Sequence, residues 1–515
     1  MPNGLNDPLF RLVKSLTKAE KRNFRLYVNR VQKTDQVKFV QLFDVIDKLK
    51  RYDEKMIFVK IPKMKRTQLS NIRRHLYGQL LASLRLINTQ KNIDIEIREQ
   101  IDYARILYGK GLYMDSLRIL DRVKATAKQA HQDLLHLEII EFEKLIESRH
   151  ITRSIENRAE QLSEEAEKRT RIISHAGELS NLALRLYGLY IKVGHARNEK
   201  DYYMVKEFFN SNLPDLPTEK MTFFERIYLC QCYVWYHHIL QNFPQCFKYA
   251  QKWVDLFKEF PDMQAKDPDL YIRGYNNLLS SLFFMNYHSK FCENLADLEA
   301  IGEAYANKFT INSEVQYFQY IYTHKINKHV IEGTFTESLI LIPTLEKKLK
   351  TYTSHLDQHR ILVFYYKIAS LYFTSGDNQN AIEYLNRIIN LKVGNLREDI
   401  QCYARLLNLI AHYELGHFNL LEYLVKSVYR FLRKMEDLNM VQIEILKFLR
   451  QSLNAPPQKM KPYFEQLKNR LQKIVDNPHE SRSFLYLDVI SWLESKIENR
   501  PVEDVIHEKF MKNRR

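Results

Sequence analysis

Glycine and proline are scarce in this chain: 13 and 14 copies in 515 residues. Tight turns draw heavily on both, so their rarity excludes a fold built of many short strands and argues against a glycine-rich phosphate loop. A mostly helical protein is what remains. Cysteine is also sparse. Five copies cannot build a disulfide framework, and residues 1–20 contain no apolar core of a signal peptide, so a reducing, cytoplasmic setting is expected. No stretch approaches the roughly 18 uninterrupted apolar residues that a bilayer-spanning helix needs.

Catalytic and metal-binding signatures are missing as well. Neither G-x-x-x-x-G-K-[ST] nor G-x-G-x-x-G occurs, which removes the usual backbone cradles for phosphate. Cys230 and Cys232 form a C-x-C, but two residues apart on a helix they diverge by about 200° and do not converge on one zinc ion; they read as core thiols. His237 and His238 are adjacent and point apart, and His507-Glu508 lacks the second histidine of a metalloprotease helix. No nucleophile elbow is present. The chain is therefore expected to be a non-enzyme with no cofactor and no metal.

What the chain does have is 45% hydrophobic and 27% charged residues, enough apolar material for a sizeable core or several small ones. Its formal charge of +16 is unevenly spread. Residues 1–90 carry 20 Lys and Arg against 7 Asp and Glu, a net of +13, while residues 91–515 carry 58 against 55. A local excess of that size attracts polyanions through counterion release, so nucleic acid, an anionic membrane face or an acidic protein become candidate partners; a merely solvated surface is the alternative.

Within residues 1–90 the pattern is helical. Thr17 followed by Glu20 has the spacing of a capping box, marking Thr17 as an N-cap. Phe39, Leu42, Phe43, Ile46 and Leu49 recur at three and four, predicting a buried helical face with Lys48, Lys50 and Arg51 outside. After Pro62 a long helix is predicted over about 68–88, with Leu69, Ile72, Leu76, Leu80 and Leu84 as its apolar stripe. Lys18, Lys21, Arg22 and Arg25 on the first helices, with Lys63, Lys65, Arg66, Arg73 and Arg74 around the last, are the candidate phosphate-contacting residues. Such contacts need charge more than exacting geometry.

From about residue 95 the pattern becomes pairs of helices joined by short turns. The clearest unit is residues 365–388, YYKIASLYFTSGDNQNAIEYLNRI, with Ala369, Tyr372, Gly376, Ala381, Leu385 and Ile388 at characteristic spacing. Others surround Gly111 (Ala104, Leu107, Tyr113, Ser116, Leu120) and Gly416 (Tyr413, Phe418, Leu421), and related turns fall near Gln241, Met285 and Gly333. These positions resemble those of the tetratricopeptide (TPR) helical-repeat family, in particular large bacterial members with a basic helical N-terminus. The successive spacings of 44, 48, 43 and 40 residues exceed the 34 of a standard unit, predicting longer helices. The chain is also similar to bacterial regulators that join a helix-turn-helix to such repeats, but it departs from them in lacking a short glycine-containing turn between its N-terminal helices.

The resemblance implies an all-α fold: a TPR-like α-solenoid of antiparallel helix pairs (91–455) with a small basic helical N-terminal module (1–90) and a helical C-terminal cap (456–515) beginning at Pro456 and Pro457. It also implies that the first helix of each pair lines a concave surface. In that register Trp235, His238, Tyr275, Thr323, Asn327, Tyr366, Tyr403 and Tyr413 would form a protein-binding groove, large aromatics being well suited to peptide capture. The functional expectation is a scaffold that engages a protein or peptide through its repeats and RNA, a ribonucleoprotein or DNA through residues 1–90. The alternative is a pure protein-protein adaptor.

Overall fold

The computed structural model describes residues 7–31, 38–89, 92–150, 157–196, 198–215, 221–391, 394, 397–435, 439–453, 460–475 and 482–513. Among them every regular element is helical and no strand occurs. The chain divides into two compact units, Met1–Thr170 and Arg171–Arg515. Pro456, Pro457, Arg514 and Arg515 lie outside the described residues.

The first unit opens with α1 (Pro8–Ser15), α2 (Lys18–Val31), α3 (Lys38–Lys48), α4 (Glu54–Lys60) and α5 (Arg66–Asn88). The capping box at the start of α2 is formed. The Thr17 backbone N–H donates to Glu20 Oε2 at 2.7 Å, and the Glu20 N–H donates to Thr17 Oγ1 at 3.2 Å. That exchange satisfies two N–H groups that a helix start otherwise leaves unpaired. The predicted apolar stripes of α3 and α5 meet in one small core with Val13, Phe24 and Val28. Then follow α6 (Ile93–Gly109), α7 (Tyr113–Gln129), α8 (Asp133–Arg149) and the long α9 (Arg158–Val193), within which the unit boundary falls. Small residues let α6 and α7 approach: Ala104 and Ser116 are fully buried, and the Ser116 hydroxyl donates to the Ala104 carbonyl at 2.8 Å.

The second unit continues with α10 (Glu199–Asn212) and then the pairs α11 (Phe223–Ile239) with α12 (Phe243–Glu259), and, after the short α13 (Asp262–Lys266), α14 (Pro268–Phe284) with α15 (His288–Tyr305). Next, α16 (Ile311–Glu332) packs on a broken partner, α17 (Phe335–Ser338) and α18 (Ile342–Thr351), before α19 (Gln358–Thr374) with α20 (Asn378–Ile389) and α21 (Glu398–Glu414) with α22 (Phe418–Lys434). The chain ends in α23 (Met440–Ser452), α24 (Met460–Val475), α25 (Arg482–Tyr486), α26 (Val489–Glu498) and α27 (Val502–Asn513). This is the stacked-pair arrangement of a TPR-like solenoid, in which each pair buries the face its neighbour leaves open.

One turn explains the repetition. Gly111, His131, Gln241, Asn286, Gly333, Gly376 and Gly416 all adopt left-handed backbone, with φ between 53° and 93°. In each case the next N–H reaches back five residues to a helix carbonyl, as from Asn242 to His237 at 2.9 Å and from Asp377 to Tyr372 at 2.8 Å. This is the Schellman closure, which satisfies end-of-helix carbonyls while reversing the chain. Four of the seven positions are glycine, which adopts this conformation without a Cβ clash. The extra length over a standard unit comes from first helices of 17 or 22 residues and from connectors such as α13.

Candidate functional site

The second unit contains a cavity of about 500 Å³. It is lined almost entirely by first helices: residues 180–191 of α9, then α11, α14, α16 and α19, with Arg397 at its edge. Its apolar wall is aromatic. Trp235 sits between Tyr187 and Tyr190, ring centroids 4.9 Å and 5.3 Å away. Its polar wall consists of neutral groups, among them Gln231, Asn277 and Gln319, with Arg273 and Arg360 added and no carboxylate among the described lining residues.

Three features set the electrostatics. Arg397, 5% exposed, is held by Asp399 through three hydrogen bonds, Nε to Oδ1 at 2.8 Å, Nε to Oδ2 at 3.1 Å and Nη2 to Oδ2 at 2.7 Å, and lies over the Tyr190 ring. Asp399 also accepts from the Tyr486 hydroxyl. Burial holds the His238 imidazole well below the usual histidine range, with repulsion from His195 and Arg397 adding to it, and burial lowers His359 to about 4. Both histidines are therefore neutral near pH 7. His359 Nδ1 is buried without a hydrogen-bond partner among the described residues.

The carboxamides are arranged regularly. Gln231 is the ninth residue of α11, Asn277 the tenth of α14 and Gln319 the ninth of α16. All three are less than 10% exposed, and none pairs its side chain with another described residue. All three border the cavity, which leaves their amide donors and acceptors open to an external partner.

Of the eight groove residues anticipated from the register, Trp235, His238 and Thr323 line this cavity. The other five make contacts within the protein. Tyr275 is buried against Tyr271 and donates to Asp297 at 3.3 Å, and Asn327 accepts from Lys367 at 2.7 Å. Tyr366 donates to the Tyr486 carbonyl at 2.9 Å, while Tyr403 donates to Ser483 Oγ at 2.7 Å and stacks on Tyr486. Tyr413 packs edge-on against Phe448 and Trp492. Along α19 and α21, Ser483 and Tyr486 of α25 engage Tyr366 and Tyr403 in place of an external ligand. Gln231, Asn277, Gln319, Arg273 and His359 were not anticipated. The signal of the three carboxamides, an amide near the middle of successive first helices, becomes readable only once the helix starts are known.

In the first unit, three of the nine basic candidates are already paired: Lys21 with Asp47 at 2.6 Å, Arg25 with Asp44 at 2.8 Å and Arg73 with Asp7. Lys18, Arg22, Lys63, Lys65, Arg66 and Arg74 are exposed, with Arg66 over the Phe58 ring. Burial pushes the thiols of Cys230, Cys232 and Cys246 up to about 12, as suits inert core residues. No described helix is long and apolar enough to cross a membrane.

The fold and cavity define a class: an all-α TPR-like helical-repeat protein with a ligand-sized concave site. No family model and no curated protein matches the chain. Among solved structures, the apo form of the quorum sensor NprR from B. thuringiensis is similar at 13% identity, over 76% of this chain and 99% of that one, with a TM-score of 0.40. A superposition that loose carries no statement about function.

Proposed function

We propose that the protein is a non-enzymatic binding protein whose second unit holds an extended segment of a protein or peptide in the cavity between its first helices. The observation that carries this reading is the row of three buried carboxamides, Gln231, Asn277 and Gln319, whose side chains engage no other described residue. A peptide backbone offers a donor and an acceptor at every residue and so matches such a row whatever its sequence. Trp235, Tyr187 and Tyr190 supply the apolar anchor. A volume of about 500 Å³ falls within the roughly 300–1,000 Å³ range of small-ligand sites. Display of a random peptide library against the full chain tests it. Peptides enriched on the wild type should lose at least tenfold in affinity on Gln231→Ala/Asn277→Ala/Gln319→Ala, whereas enrichment that ignores these substitutions overturns the reading.

For the basic module we propose contact with an anionic partner, RNA, a ribonucleoprotein or DNA. Its support is the set of six exposed cations named above. The pairing of Lys21, Arg25 and Arg73 with aspartates favours the competing reading, a protein-protein adaptor whose charge is partly spent on its own fold. Titration of labelled single-stranded RNA and duplex DNA at several salt concentrations decides between them. Neutralised phosphates give a log-log salt slope of about −0.7 to −0.9 per contact, and Lys63→Glu/Lys65→Glu/Arg66→Glu should flatten it. Absence of binding at low salt leaves the adaptor.

A further inference from the structure

Away from the cavity, α15 and the end of α16 bring together His288, Cys292 and Glu332. His288 and Cys292 are four residues apart on α15, which puts them on one face of the helix, and Glu332 is the last residue of α16. His288 Nε2 lies 2.8 Å from Glu332 Oε1 and 3.3 Å from Cys292 Sγ, and all three ligand atoms fall within 4.8 Å of one another. An opening bordered by Tyr287, Lys290 and Phe510 leads to His288 and Cys292. All three side chains are partly exposed, so an ion and its water have access.

We propose that His288, Cys292 and Glu332 form a binding site for a zinc-class divalent cation, with water in the fourth position. The donor set decides the metal: one imidazole nitrogen, one thiolate and one carboxylate suit zinc or cobalt, whereas magnesium and calcium require oxygen ligands. The distances fit with little movement. Zinc at about 2.0–2.1 Å from nitrogen, 2.3 Å from sulfur and 2.0–2.2 Å from oxygen in tetrahedral geometry places nitrogen and sulfur about 3.6 Å apart and nitrogen and oxygen about 3.4 Å apart. The first differs from the structure by a few tenths of an ångström and the second by about half an ångström. On binding, the Cys292 thiol releases its proton to solvent, and the ion replaces the hydrogen bond between His288 and Glu332. The Lys328 ammonium, 4.0 Å from Glu332 Oε1, swings outward.

The site would tie the second helix of one repeat to the first helix of the next. It also reaches the C-terminal helix. The Phe510 ring packs edge-on against His288 at 4.8 Å, and His507 Nδ1 donates to the Glu332 carbonyl at 2.7 Å. A bound ion would therefore brace three segments that are distant in sequence.

Cobalt chloride titrated into the full chain tests the assignment, because a cobalt-thiolate bond gives a near-ultraviolet charge-transfer band. We expect one equivalent to bind, zinc to displace it, and the band to vanish in Cys292→Ser. His288→Ala and Glu332→Gln should each weaken binding at least tenfold, with circular dichroism of each variant matching the wild type. Zinc should raise the melting temperature of the wild type and leave that of Cys292→Ser unchanged. A titration without the band, or a band that persists in Cys292→Ser, overturns the proposal. If a variant fails to fold, the wild-type stoichiometry and the zinc-dependent melting shift still decide it.

Discussion

The N-terminal helices α1–α5 and the cavity of the second unit meet the same problem, charged and polar side chains on a helical surface, in opposite ways. In the first, cations face water, and those that pair do so with aspartates on neighbouring short helices, as Lys21 and Arg25 do with α3. In the second, polar groups are buried. Arg397 reaches Asp399, which is itself held by Tyr486, 87 residues further along. An exposed pair in water contributes roughly 0–1 kcal/mol, while breaking a buried one leaves an uncompensated charge. The first arrangement can be altered with little effect on the fold; the second cannot.

Acid should separate the two most strongly. His238, His324 and His359 are held down by burial, to about 3 for His324 and about 4 for His359, and burial also lowers His237 to about 4. In the unfolded chain these groups take up protons as pH falls through about 6.5, while in the folded chain they stay neutral well below that, His237 and His359 to about 4. The unfolded state then binds more protons, so stability present above pH 6.5 is lost as pH falls towards 4. All three tryptophans, Trp235, Trp253 and Trp492, lie in the second unit, so denaturant melts followed by tryptophan fluorescence read this unit alone. The midpoint should drop across that window and drop less in His359→Gln; a midpoint independent of pH would contradict the burial of these imidazoles.

The buried pair is the next largest lever. Asp399→Ala should cost about 3–5 kcal/mol in urea melts read by the same fluorescence, and a loss below about 1 kcal/mol would mean that water reaches Arg397. Glycine sharpens the comparison by sign. Gly376, at φ 93° in a repeat turn, should lose about 1–2 kcal/mol on replacement by alanine, because a Cβ is strained in left-handed backbone. Gly78, within α5 and with nothing near the position a Cβ would take, should gain about 0.5–1 kcal/mol from the same change, seen as a higher thermal midpoint by circular dichroism. The smallest effect belongs to Lys63→Glu/Lys65→Glu/Arg66→Glu, where stability should stay within about 0.5 kcal/mol per site even if anion binding is lost.

Much of the architecture was legible because it rests on local rules. The Thr17 capping box, the apolar stripe of α3 and the turns at Gly111, Gly333, Gly376 and Gly416 each depend on residues within one or two helical turns, and periodicity reports such neighbours directly. The turn near Met285 is realised one residue on, at Asn286, and the turn at His131, which the repeat spacing did not mark, adopts the same left-handed backbone. The site was harder to read. A helix rotates by about 100° per residue, so a register known to within one residue still mixes groove and core, and Tyr275 and Trp235 cannot be told apart by spacing. Nor does spacing show that α25 folds back on Tyr366 and Tyr403.

By itself, then, the sequence determined that the chain is helical, where it turns, that it repeats, and that its positive charge gathers before residue 90, since each follows from side-chain chemistry and short-range backbone geometry. Only the tertiary structure decided which polar residues face one cavity, which aromatics are spent on internal packing, and that His288, Cys292 and Glu332 meet. Those outcomes depend on how helices tens of residues apart in sequence pack against one another, and packing of that kind leaves no periodic mark along the chain.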